Sequence, residues 1–205
     1  MSQVKTVGNF NIFSAKFVKS ATSLSQLPEE RLPQIAFLGR SNVGKSSLLN
    51  ALMGEKNLVK VSSTPGKTQE INFFCVNDAF YLVDLPGVGY AKVGIEKREK
   101  MASFIRDYVE RSEDLKGVIY LVDIRRGWTA MDLVTVEGLR ESKCPVLIVA
   151  SKKDKVNQSE LRENTKLIQK KFELDAPPIV VSSLKKIGLD LLWNEILLSV
   201  SENEE

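Results

Sequence analysis

One stretch constrains this chain more than any other: Gly39-Arg40-Ser41-Asn42-Val43-Gly44-Lys45-Ser46-Ser47. It fits G-x-x-x-x-G-K-[ST], the phosphate-binding loop. The apolar run Ile35-Ala36-Phe37-Leu38 before it predicts a buried strand. Leu48, Leu49, Ala51, Leu52 and Met53 after it recur at helical spacing. Gly39 and Gly44 let the backbone bend so that N–H groups converge on phosphate oxygens, where the helix N-terminus adds positive potential. Lys45 supplies a point charge for the β- and γ-phosphates, and the Ser46 hydroxyl is suited to ligate Mg²⁺. A plain glycine-rich turn is the alternative, and the lysine and hydroxyl in a strand-to-helix frame argue against it.

The rest of the chain alternates. Ile71 to Val76 and Ala79 to Val83 read as two strands, with Asn77-Asp78 as the hairpin turn between them, so this pair should be antiparallel. Strands are then predicted over Val118 to Val122, Val146 to Ala150 and Ile179 to Val181. Helices are predicted over Glu96 to Arg111, Ala130 to Ser142, Gln158 to Phe172 and Leu189 to Val200. Such alternation predicts an α/β three-layer sandwich of the P-loop NTPase kind. Its sheet is expected to have six strands, mostly parallel with one antiparallel edge strand, and helices on both faces. Ligands of such a sheet bind at the carboxyl ends of its strands. The expected organisation is an N-terminal extension over 1–33, a nucleotide-binding domain over 34–200 and an acidic tail over 201–205.

Composition narrows the chemistry. There is no histidine, which excludes a Cys/His zinc site and histidine acid–base catalysis. The 205 residues suit one domain, and 43% hydrophobic residues suffice for a core. The longest apolar runs are short strands, so no membrane span is expected, and the first twenty residues lack the apolar core of a signal peptide. Cys75 and Cys144 lie in apolar runs. Two buried thiols suit a reducing cytoplasm better than a disulfide framework. The net charge is +3, and leaving out Glu202, Glu204 and Glu205 doubles it. A mildly basic body permits RNA contact without requiring it. Arg125, Arg126, Lys185 and Lys186 are the candidate contacts, on charge alone.

A phosphate loop does not choose between GTP and ATP. Later motifs do. Asp84-Leu85-Pro86-Gly87 puts a carboxylate at a strand end, suited to hold Mg²⁺ through water, and a glycine whose N–H can meet a γ-phosphate. Asp123 is a second strand-end carboxylate but lacks the glycine three residues on, so Asp84 is preferred. Ser151-Lys152-Lys153-Asp154 follows an apolar strand. A carboxylate there can accept from the ring N–H and exocyclic amine of guanine together, a donor pair adenine lacks. Asp154 is therefore the candidate base-selecting residue, with the Lys152 stem lying along the base plane. Val181-Ser182-Ser183 ends the next strand and offers backbone N–H groups to the guanine oxygen.

These elements in this order resemble the TrmE-Era-EngA-EngB-Septin-like GTPases, and within them the EngB (YihA/YsxC) family of ribosome-biogenesis GTPases. The phosphate loop, Thr64-Pro65-Gly66-Lys67-Thr68-Gln69, Asp84-Leu85-Pro86-Gly87-Val88-Gly89-Tyr90-Ala91-Lys92 and Leu121-Val122-Asp123-Ile124-Arg125 carry the resemblance, together with Ala15-Lys16-Phe17-Val18 and Leu27-Pro28. It implies a bacterial cytoplasmic GTPase, acting as a monomer, that uses Mg²⁺, serves large-ribosomal-subunit assembly and is linked to cell division and septation. It points to Gly66, Lys67, Thr68, Gln69 and Glu70 as nucleotide contacts. Thr68 joins Ser46 and Asp84 as a Mg²⁺ ligand, and Lys45, Thr68 and Gly87 are the catalytic candidates. Two readings of Asn42 stand: a ligand to K⁺ beside the phosphates, as in related GTPases, or a loop-capping asparagine. Two positions depart from the pattern. Ser151 stands where the family has Asn or Thr, keeping a hydroxyl but no amide, which predicts a weaker bond to base or phosphate loop. Val88 stands where many relatives carry a catalytic glutamine.

Three functions follow. The first is a GTP-hydrolysing switch sensed by a ribosomal particle. The second is a nucleotide-dependent binding module with negligible turnover. The third is a P-loop ATPase or kinase, which labelled-GDP displacement by ATP would expose.

Overall fold

The computed structural model describes residues 4–59, 70–88 and 94–201. A small antiparallel hairpin, β1 (Lys5–Val7) and β2 (Phe10–Ile12), precedes the central sheet. The sheet is built from β3 (Ala15–Ala21), β4 (Gln34–Gly39), β5 (Ile71–Val76), β6 (Phe80–Asp84), β7 (Leu115–Asp123), β8 (Val146–Ser151) and β9 (Ile179–Val180). The helices are α1 (Lys45–Leu52), α2 (Ile95–Arg111), α3 (Ala130–Glu141), α4 (Gln158–Lys171) and α5 (Leu189–Ser201). The spatial order is β3-β5-β6-β4-β7-β8-β9.

The sheet has seven strands among the described residues, where six were expected. The addition is β3, from the N-terminal stretch. It pairs antiparallel with β5, and β5 pairs antiparallel with β6. Only β5 runs against the rest, and it lies one place in from the edge because β3 covers it. Phe17 and Val18 are exposed on this strand, so it carries no apolar period to read. The reversal between β5 and β6 follows from Asn77 and Asp78, both at φ +54°, the left-handed conformation that a two-residue hairpin turn of this type needs.

Strands buried on both faces read as unbroken apolar runs, and alternation then sorts their side chains into two cores. Ile35, Phe37, Ile119, Leu121 and Phe74 face α1 and α5, where Leu48, Leu52, Leu192 and Trp193 are buried. Ala36, Leu38, Val118, Tyr120 and Phe73 face the other helices, meeting Tyr108, Val136, Leu139 and Ile168. Buried polar groups in the second core are paired. Tyr108 donates to Gln34 Oε1 at 2.7 Å and Tyr120 to Asp132 Oδ1 at 2.8 Å. Asp132 also closes a capping box with Thr129 at the start of α3.

Cys144 departs from expectation. It is half-buried and lies in the turn before β8 rather than in a strand, while Cys75 is buried in β5. No helix among the described residues is long and apolar enough to cross a membrane. The residues 202–205 of the expected acidic tail lie outside the described residues, and α5 runs through Ser201.

Candidate nucleotide site

Four parallel strands, β4, β6, β7 and β8, bring their carboxyl ends together, and the sequence motifs lie just beyond them. Gly39 ends β4 with φ +152°, and a Cβ there would stand 2.7 Å from the Leu121 carbonyl oxygen. That approach requires glycine. The loop then turns through Arg40, Ser41, Asn42 (φ +62°) and Val43, whose N–H returns to Arg40 O at 3.2 Å. Gly44, at φ +106°, leads into α1. Lys45, Ser46 and Ser47 form the first turn of that helix, with Lys45 buried, Ser46 half-buried and Ser47 exposed. The Ser41 hydroxyl is buried inside the loop and has no hydrogen-bond partner among the described residues. It is the kind of orphan that a phosphate oxygen or its water satisfies.

Asp84, the last residue of β6, lies beside this loop. Its carboxylate forms an ion pair with the Lys45 ammonium, and both side chains are nearly sealed from solvent, at 4% and 10% exposure. Leu85, Pro86 and Gly87 follow, all buried. Leu85 N donates to Phe37 O at 3.1 Å and Val88 N to Gly39 O at 3.0 Å, so the segment after Asp84 is laced to the end of β4.

The turn after β8 meets the phosphate loop from the other side. The Ser151 hydroxyl lies 2.7 Å from Val43 O and 3.1 Å from Val122 O. The serine hydroxyl thus ties this turn to the phosphate loop without an amide. Lys152 adopts φ +64° and donates from Nζ to Asn42 O at 2.6 Å and to Asp123 Oδ2 at 2.9 Å. Its stem crosses above Gly44, where an added Cβ would lie 3.8 Å from Lys152 Cε. Lys153 N bonds Val181 O at 3.0 Å. Asp154 Oδ1 accepts from the Ser182 hydroxyl at 2.5 Å. That bond holds the Asp154 carboxyl below the usual carboxylate range, so it stays an acceptor at neutral pH.

One sequence expectation narrows here. Of the three backbone donors proposed for the guanine oxygen, Val181 N is taken by Ala150 O and Ser182 N by Ile187 O. That leaves the Ser183 N–H as the candidate of the three. Arg125, proposed as an RNA contact, is exposed and also grips Asp123, with Nη2 2.7 Å from Oδ2 and Nε 3.0 Å from Oδ1. Arg126, Lys185 and Lys186 are exposed. Sequence reasoning missed the Ser182 hydroxyl as a partner for Asp154. It also missed Asn50, buried in α1, which bonds both N and O of Val59 at 2.8 Å and anchors the chain entering 60–69. Gly66, Lys67, Thr68 and Gln69 lie outside the described residues, whereas Glu70 is an exposed residue just before β5.

The donor set suits a Mg²⁺ that arrives with a nucleotide. Among the described residues no cluster of three carboxylate, thiol or imidazole groups could hold a resident metal. One hydroxyl and one carboxylate, Ser46 in the first turn of α1 and Asp84 at the end of β6, adjoin the loop where phosphates would supply further oxygens. Mg²⁺ characteristically takes one or two carboxylates plus phosphates and waters.

Comparison with known proteins agrees with this geometry. A family profile described as "50S ribosome-binding GTPase" matches residues 34–152. A protein of Citrifermentans bemidjiense described as "Probable GTP-binding protein EngB" is 46% identical over 182 residues, 88% of this chain and 85% of the relative. A crystal structure of a probable GTP-binding protein engB superposes with a TM-score of 0.69 at 26% identity, covering 83% of this chain and all of the other. Era in complex with MgGDPNP and nucleotides 1506-1542 of 16S ribosomal RNA gives a TM-score of 0.68 at 25% identity, over 86% of this chain and 59% of that one.

Proposed function

Because the chain belongs to the EngB family of GTP-binding proteins, we propose that it is a Mg²⁺-dependent GTP switch that acts in the cytoplasm on the large ribosomal subunit during its assembly. It is a GTPase, and the further step is what its nucleotide state controls. The observation that carries the nucleotide reading is the Ser182–Asp154 hydrogen bond at 2.5 Å, one strand from a phosphate loop to which Ser151 and Lys152 are bonded. It keeps the Asp154 carboxylate ionised and fixed in orientation, which supports its reading as the acceptor for a guanine edge. The link to the large subunit is supported by the description of the matching family. The family's association with cell division is taken to follow from ribosome assembly.

Each residue has a task in this reading. Backbone N–H groups of the phosphate loop other than that of Val43, together with the Lys45 ammonium, meet the phosphates. Ser46 and Asp84 would hold Mg²⁺, which supplies charge neutralisation across the β- and γ-phosphates, and Thr68 would join them when GTP is bound. Asp154 accepts from the guanine N–H groups, Ser183 N donates to the guanine oxygen, and the Lys152 stem supports the base plane. Gly87 N–H meets the γ-phosphate and couples its loss to the segment after β6. Val88 carries no polar group to orient an attacking water.

The test is co-sedimentation with purified large subunits and their precursors in GDP or a non-hydrolysable GTP analogue. Retention with the GTP analogue and release with GDP is expected. Equal association in both states would overturn the switch.

A further inference from the structure

Asp123 ends β7, and the chain folds straight back over it. Arg126 N and Gly127 N both donate to its carbonyl at 2.9 Å, and Gly127 turns at φ +63°. Its side chain is only 9% exposed yet accepts four hydrogen bonds. Arg125 supplies Nε and backbone N to Oδ1 and Nη2 to Oδ2, and Lys152 supplies Nζ to Oδ2. A carboxylate offers about four lone-pair sites, so this one is saturated. Burial alone would raise its pKa, but the Arg125 and Lys152 bonds outweigh that and hold it at about 2.

Lys152 is the component that needs holding. Its backbone lies in the left-handed region, at φ +64° and ψ +37°, costly for a residue with a Cβ. Its long stem has several rotatable bonds to fix. Its ammonium meets one carbonyl oxygen of the phosphate loop, Asn42 O, and one charged acceptor, Asp123. The fork of Arg125 presets that acceptor, because bidentate pairing fixes the carboxylate plane. Asp123 thus stands behind Lys152 as Ser182 stands behind Asp154.

We propose that Asp123, fixed by Arg125, is a positioning residue for the nucleotide. It pins Lys152 to the phosphate loop, so that the base-reading turn and the phosphate loop bind as one unit. The inference rests on the reading that Lys152 lies beside the bound base. Nothing in the Asp-x-x-Gly role predicted it, since Asp123 bonds Lys152 and Arg125, and β4 lies between its strand and that of Asp84.

A double-mutant cycle on GDP affinity, by titration calorimetry in Mg²⁺, tests it. Lys152→Ala and Asp123→Asn are each expected to weaken GDP about tenfold, the scale of one charge-assisted hydrogen bond. In the Lys152→Ala background, Asp123→Asn should add less than about twofold, because its effect passes through Lys152. Arg125→Ala should show a smaller loss that also vanishes in that background, and it decides the matter if Asp123→Asn fails to fold. A further tenfold loss for Asp123→Asn on Lys152→Ala, or none in the otherwise unchanged chain, would overturn the inference while leaving the base-side reading in place. GDP affinity indifferent to Lys152→Ala would remove that reading and the inference with it.

Discussion

At the scale of single residues, selectivity rests on Asp154. Asparagine at this position presents an N–H where guanine also has one, and where xanthine has a carbonyl. Asp154→Asn should therefore lower GDP affinity about a hundredfold, the loss of two charge-assisted bonds, and favour xanthosine diphosphate instead. Competition between the two nucleotides measures it directly. The Lys45–Asp84 pair has a different consequence. Lys45→Ala removes a phosphate ligand, worth about one to two decades in GDP affinity. It also leaves a buried carboxylate unpaired, so nucleotide-free protein should lose stability by about 3 kcal/mol, read as a lowered denaturant midpoint. Lys45→Ala with Asp84→Asn should regain most of that stability and none of the affinity. Asp123 sets a pH window. Its folded pKa of about 2 lies below the unfolded value, so its contribution is full above pH about 4 and is lost as pH falls through 2. Asp123→Asn should flatten acid unfolding in that interval.

Among the elements, the core strands were legible, whereas the partners of the N-terminal stretch were not. Residues 35–38, 118–122 and 146–150 are apolar on both faces because helices cover both, and that signal is unambiguous in sequence. The β5–β6 turn was legible because Asn-Asp tolerates positive φ at both positions. The same Asn77 also accepts from Phe13 N and donates to Asn11 O, clamping the N-terminal stretch to the hairpin, a contact across more than sixty residues that no local pattern encodes. The site divides along the same line. Motif residues whose backbone or charge acts locally could be read, whereas Ser182, Asn50 and Asp123 act through partners that only folding supplies. One prediction belongs here. Asp132 caps α3 and receives the buried Tyr120 hydroxyl, so Asp132→Ala strands that hydroxyl and the Thr129 N–H. A loss of about 2–4 kcal/mol in urea unfolding is expected, with GDP affinity of the folded fraction unchanged.

Over the whole molecule, the open question for turnover is what completes the site. Val88 is half-buried, has only an aliphatic side chain, and its N–H is tied to Gly39 O. The chain has no histidine, and at the position after Asp84-Leu85-Pro86-Gly87 the Val88 side chain offers no group to orient water. Hydrolysis by the protein alone should be slow. Single-turnover assays in Na⁺ and K⁺, with and without large subunits, should show acceleration by the particle, by K⁺, or by both. Fast hydrolysis in Na⁺ alone would contradict this. K⁺ stimulation that survives Asn42→Ala would place the ion elsewhere.

Strand β3 has a consequence for how the chain keeps to itself. It forms the sheet's outer edge with a bulge between Phe17 and Lys19 and two lysines along it, features that deny a neighbouring copy a flat ladder to extend. Behind it lies β5, Ile-Asn-Phe-Phe-Cys-Val, uncharged and free of proline and glycine. A chain cut back to begin at Gln34 would present that strand as its edge, and uncharged strands of this length stack readily into cross-β assemblies. Strand β3 is therefore expected to guard the sheet against fibril formation. Its removal should appear first as concentration-dependent turbidity and thioflavin fluorescence, ahead of any change in nucleotide affinity.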